Sequence, residues 1–170
     1  TQETHQDTTG AYLVILDAAE APLHDEVVRA AAGLCTQLIQ DGAYVALAVH
    51  GCGDIPPVRL GSGPRHLTRL ELSLAAASPR PGDPANDHHP RRIERNRYPL
   101  GTVVIVLTGL ADEALIPTLV RLRFARRRVT VIDTAGSGAS HALDRLERRV
   151  RRLHLESRGI PVTPWTTPSA

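Results

Sequence analysis

The chain has 170 residues, 42% of them hydrophobic and only 3% aromatic, which predicts one domain with an aliphatic core. Its 20 basic side chains, all Arg, stand against 18 acidic ones, and a net charge of +2 selects neither nucleic acid nor a membrane surface. Without Lys there can be no P-loop, no Schiff-base chemistry and no phospho-receiver site, since each needs the amine.

Residues 1–9 are polar and read as a flexible tail. Ala11-Tyr-Leu-Val-Ile-Leu-Asp17 follows, six apolar residues that stop at a carboxylate. Such a run predicts a strand over 11–16 that is buried on both faces, as in the centre of a parallel sheet. A helix over 23–40 buries Val27, Ala30, Ala31, Leu34 and Leu38 and stops at Asp41-Gly42. A second strand covers 43–49. His50-Gly-Cys-Gly-Asp54 then reads as a turn into a short strand over 57–60. So short a link permits only an antiparallel hairpin, because a parallel return needs a crossover of about a dozen residues. Gly61-Ser-Gly63 leads to a helix over 64–77 with Leu67, Leu70, Leu74 and Ala77 as its buried stripe.

Residues 78–99 contain five Pro and little that is apolar, and read as a mobile surface loop. Beyond it come a strand over 102–108, a helix over 112–126, a strand over 128–133, a helix over 140–157 and a last edge strand over 159–163. The order β-α-β-β-α-β-α-β-α-β specifies an α/β fold. It is a Rossmann-like three-layer sandwich, mostly parallel, with one antiparallel strand from the early hairpin. The domain spans 10–165, and 166–170 form a second tail.

Several blocks together carry a resemblance. They are Leu13-Val-Ile-Leu-Asp17, Leu34-Cys-Thr-Gln-Leu38, Gly42-Ala-Tyr-Val-Ala-Leu47, Gly61-Ser-Gly-Pro-Arg-His-Leu-Thr-Arg-Leu70, Val103-Val-Ile-Val-Leu-Thr108 and Gly159-Ile-Pro-Val162. Over residues 10–163 the chain resembles the von Willebrand factor A-like part of bacterial proteins of unknown function encoded beside MoxR-type AAA+ ATPases. The resemblance implies a non-catalytic adaptor or scaffold that works with an AAA+ ATPase. Family members often carry two N-terminal transmembrane helices. The A-domain metal motif resembles Asp-x-Ser-x-Ser, joined by a Thr and by an Asp after a later strand. Of the first motif only Asp17 is matched, because Ala19 and Ala21 stand where the serines belong. Thr108-Gly109 leaves no Asp at the later strand end, and Asp112 comes a few residues late. The site is therefore expected to be degenerate and no cofactor is expected, with Mg²⁺ or Mn²⁺ held by Asp17, Glu20 and Asp112 as the alternative.

Other candidates reduce to ordinary structure. Asp17 alone lacks the second Asp and the Lys of a haloacid-type phosphatase, and reads as a strand-end cap. Gly136-Ser-Gly138 opens a helix but lacks the third Gly of a dinucleotide fingerprint, because His141 occupies that place. Asp87-His88-His89 has no third ligand at a convincing spacing. His50 and Cys52 would share a hairpin tip with no scaffold for catalysis. Arg145, Arg148, Arg149 and Arg152 recur at helical spacing opposite Leu146, Val150 and Leu153, and read as a solvated basic face.

The function expected is protein–protein adaptor, with Glu20, Arg65, His66 and Asp112 as partner-contacting residues at the C-terminal edge of the sheet. The competing reading is a Rossmann-like hydrolase, or a phosphate- or nucleotide-binding enzyme, that uses Asp17. Two widely spaced Cys suit reduced thiols and a cytoplasmic location. No apolar run is long enough to span a bilayer. Because the chain has no Met, Thr1 reads as lying inside a longer protein whose N-terminal part could tether it to a membrane.

Overall fold

The computed structural model describes residues 10–17, 24–50, 55–77, 98–109, 115–134 and 142–164. Among them, strands β1 (Ala11–Asp17), β2 (Tyr44–His50), β3 (Val58–Gly61), β4 (Val103–Thr108), β5 (Arg128–Asp133) and β6 (Val162–Pro164) form one sheet in the order β3-β2-β1-β4-β5-β6. Every pairing is parallel except β2 with β3. Helices α1 (His24–Gln40), α2 (Pro64–Ala76), α3 (Leu115–Phe124) and α4 (Ala142–Ser157) complete an α/β sandwich of Rossmann-like type, as the element order predicts. No helix of the described residues is long and apolar enough to cross a membrane. The tails and the loop expected over 78–99 fall almost wholly outside the described residues.

The alternation of each strand sorts the core into two layers. Val14, Leu16, Val45, Leu47 and Leu107 pack with Val27, Ala31 and Cys35 of α1 and with Leu70 and Leu74 of α2. On the other face Leu13, Ile15, Val104, Val106, Val129 and Val131 pack with Leu115, Leu119 and Leu122 of α3 and with Leu155 of α4. β1 and β4 are covered on both sides, which is why their sequences are almost unbroken apolar runs.

Three helices end in the same hydrogen-bonded turn. After α1, Ala43 N–H donates to Leu38 O at 2.9 Å and Gly42 N–H to Ile39 O at 3.1 Å. After α4, Ile160 and Gly159 repeat the pattern onto Leu155 and Glu156. After α3, Arg127 and Arg126 do so onto Leu122 and Arg123. The pivot residue must adopt a left-handed conformation, and Gly42 (φ 78°) and Gly159 (φ 72°) do so without cost from a Cβ. Arg126 holds the same place at φ 59° with a side chain attached. Next to it, the buried Arg127 guanidinium donates to Tyr98 O at 2.8 Å and also to Pro99 O, tying the start of β5 to the chain that enters β4.

Two outcomes are expected. Arg126→Gly relieves the left-handed strain, partly offset by the freer unfolded chain, and raises stability by about 0.5–1 kcal/mol in urea unfolding with an unchanged m-value. Burial pushes the Cys35 thiol up from 9.0 to about 12. The unfolded chain therefore ionises this thiol near pH 9 while the folded chain keeps its proton. The resulting stability is complete below pH 9 and is lost as pH rises through about 12. Cys35→Ala removes that part of the alkaline slope when unfolding free energies are compared on either side of pH 9.

Candidate functional site

The strand order runs outward in opposite directions from β1 and β4, so their C-terminal ends flank the topological switch point where open α/β sheets bind ligands. Asp17 ends β1 and Thr108 ends β4. Leu16 is registered with Leu107, which sets Thr108 beside Asp17, and the Thr108 hydroxyl donates to Asp17 Oδ2 at 2.6 Å. Asp17 is 6% exposed and Thr108 1%, so this bond is sheltered from water.

The register extends the arrangement on both sides. Asp17 is paired with His50, the last residue of β2, and Thr108 with Asp133, the last residue of β5. Alternation from Ile15, Ala46, Val106 and Val131 carries Asp17, His50, Thr108 and Asp133 to the α3/α4 face. Four neighbouring strands thus end in a row of polar side chains on one face. Thr134 N–H donates to Thr108 O at 3.0 Å and carries the ladder one residue past β5.

His50 therefore belongs to the sheet and not to a hairpin tip: it is buried at the end of β2, beside Asp17. Cys52, its supposed partner, lies outside the described residues. Sequence reasoning also passed over Thr108 and Asp133. The signal was present, since each is the first polar residue after an apolar strand, as Asp17 is.

Of the expected partner-contacting residues, Arg65 and His66 do not lie at this edge. Glu20 and Asp112 lie outside the described residues, as do Gly136-Ser-Gly138 and Asp87-His88-His89. Because β3 runs antiparallel, it returns the chain to the N-terminal edge, where Gly61 pairs with Val45 near the start of β2. Helix α2 begins there, so Arg65 and His66 sit at the opposite end of the sheet from Asp17 and Thr108. The five residue steps of β2 from Val45 to His50 correspond to about 17 Å along the strand. Arg65 is exposed, whereas His66 is buried, with its Nε2 2.7 Å from Val45 O. Its ring lies where a Cβ on Gly61 would come within 2.6 Å of it, which explains the glycine at that position. His66 thus fastens α2 to β2 and presents little surface to a partner.

Of the residues expected at a cation site, Asp17 is the one described. Asp17 already accepts the Thr108 hydroxyl, and Ala18, Ala19 and Ala21 supply no side-chain oxygen after it. Among the described residues no three His, Cys, Asp or Glu side chains group in a way that could hold a metal ion. Asp17 and Asp133 stand on either side of Thr108 in this row.

No family model matches this chain, and no curated protein matches it.

Thr108→Val keeps the shape of the strand end and removes the donor to a buried carboxylate. It is expected to cost about 1–3 kcal/mol of stability in denaturant unfolding. Thr108→Ser, which keeps the hydroxyl, recovers most of that loss.

Proposed function

We propose that the domain is a non-catalytic protein–protein adaptor of von Willebrand A-like type that works with a MoxR-type AAA+ ATPase. What supports this reading is the state of Asp17. The carboxylate stands at the ligand-binding position of the fold, but it is buried and bonded to Thr108, with alanines where cation-binding hydroxyls would be needed. The sheet and its C-terminal edge are kept while the donor set is not. A domain of this kind acts through its surface loops, which a rigid sheet holds in place. The family assignment and the ATPase rest on the sequence resemblance over residues 10–163.

The partner-contacting face is drawn at the C-terminal edge, with Glu20 and Asp112 from the segments that follow β1 and β4. Arg65, at the other end of the sheet, serves as the internal control. Affinity capture of the full-length protein from its own lysate is expected to recover an AAA+ ATPase. Asp112→Arg is expected to release it and Arg65→Glu to retain it. Equal loss with both variants, or recovery of no ATPase, removes the proposal. Mg²⁺ and Mn²⁺ are expected to leave the melting temperature unchanged. A cation-dependent rise that Asp17→Asn abolishes would return the site to metal binding.

A further inference from the structure

A helix that packs on a sheet normally turns its apolar stripe inward. Helix α4 does the reverse. Leu146, Val150 and Leu153, spaced i, i+4, i+7, are 58%, 58% and 57% exposed. The inward side carries the fully buried Leu155 and the stem of Arg151, whose side chain is only 14% exposed. The Arg-rich side is tied down locally. Arg151 donates to Glu147 at 3.2 Å, and Arg152 donates to Glu156 at 3.0 Å and to Val162 O at 3.2 Å. What faces outward is an apolar ridge at coiled-coil spacing.

We propose that this ridge is the interface of a homodimer, in which α4 packs antiparallel against α4 of a second copy about a two-fold axis. The residues bordering the ridge carry the argument. Glu147 and His154 lie along one side of it, and Arg149 and Glu156 along the other. In an antiparallel helix pair each border meets the same border of the copy, and Val150 packs against the copy's Leu153. Glu147 then falls opposite the copy's His154, and Arg149 opposite the copy's Glu156. Both borders are complementary to themselves. A parallel pair sets Arg149 against His154 and matches no acid to a base. An anionic membrane is a poorer occupant, because Glu147 and Glu156 line the ridge while Arg151 and Arg152 turn toward the domain. A single helix pair is a small interface, so the dimer forms in the micromolar range.

Sedimentation velocity on the whole chain tests this. The expected result is a monomer–dimer equilibrium that shifts toward dimer as protein concentration rises through the micromolar range. Val150→Asp, an exposed change whose fold is checked by circular dichroism, leaves only monomer. Arg149→Glu and Glu156→Arg each shift the equilibrium toward monomer, and the double variant restores the dimer because the charges are exchanged across the two-fold. A chain that stays monomeric throughout, or a dimer indifferent to Val150→Asp, overturns the proposal. Failure of the double variant to restore the dimer overturns the antiparallel register.

Discussion

A strand covered by helices on both faces has room for polar side chains only at its ends, and β1 and β4 impose that rule on the whole molecule. From Leu13 to Leu16 and from Val104 to Leu107 nearly every position meets α1 and α2 on one side or α3 and α4 on the other. The first polar residues, Asp17 and Thr108, arrive at the C-terminal ends of the two strands. They arrive together because the two strands are in register, and each answers the other's need. A buried carboxylate without donors would be costly, and a buried hydroxyl without an acceptor somewhat less so. Their bond lets both central strands stop at one level, and β2 and β5 align His50 and Asp133 to that level.

Much of this was legible in the sequence for the same reason. Strands buried on both faces announce themselves as apolar runs, and the short link after β2 dictates an antiparallel partner. The candidate site was less legible, because a row across four strands is a property of register, which one chain read linearly does not display. His50 illustrates the difficulty. Followed by Gly-Cys-Gly, it looks like the start of a turn, yet extending the alternation of Ala46 and Ala48 by one step places it on the face that carries Asp17. The position of Arg65 and His66 was implied by the hairpin itself. An antiparallel β3 must deliver α2 to the N-terminal edge, whatever the loops of related folds suggest.

In helix α4 and at the end of α3, side-chain character hides the packing from a linear sequence. Arginine counts as polar in any periodicity, but its three methylenes pack like an aliphatic chain while the guanidinium reaches for an acceptor. Arg151 and Arg152 do this, so the inward face of α4 is basic by sequence and the outward face apolar. The end of α3 lacked the usual sign. Gly42 and Gly159 mark the ends of α1 and α4, whereas Ala125-Arg126-Arg127 offers no glycine, so periodicity alone extends the helix two residues past its end at Phe124.

The two outer strands are the shortest in the sheet, and this bears on how the molecule behaves when crowded. β3 has four residues with irregular pairing to β2, and β6 has three, preceded by Pro161 and closed by Pro164. Proline withholds the amide hydrogens that an incoming strand would need, and four residues offer too short a ladder for another chain to extend. The sheet is thereby closed to fibril-like growth at both margins, even though its central strands are of the unbroken, β-branched kind from which cross-β stacks are built.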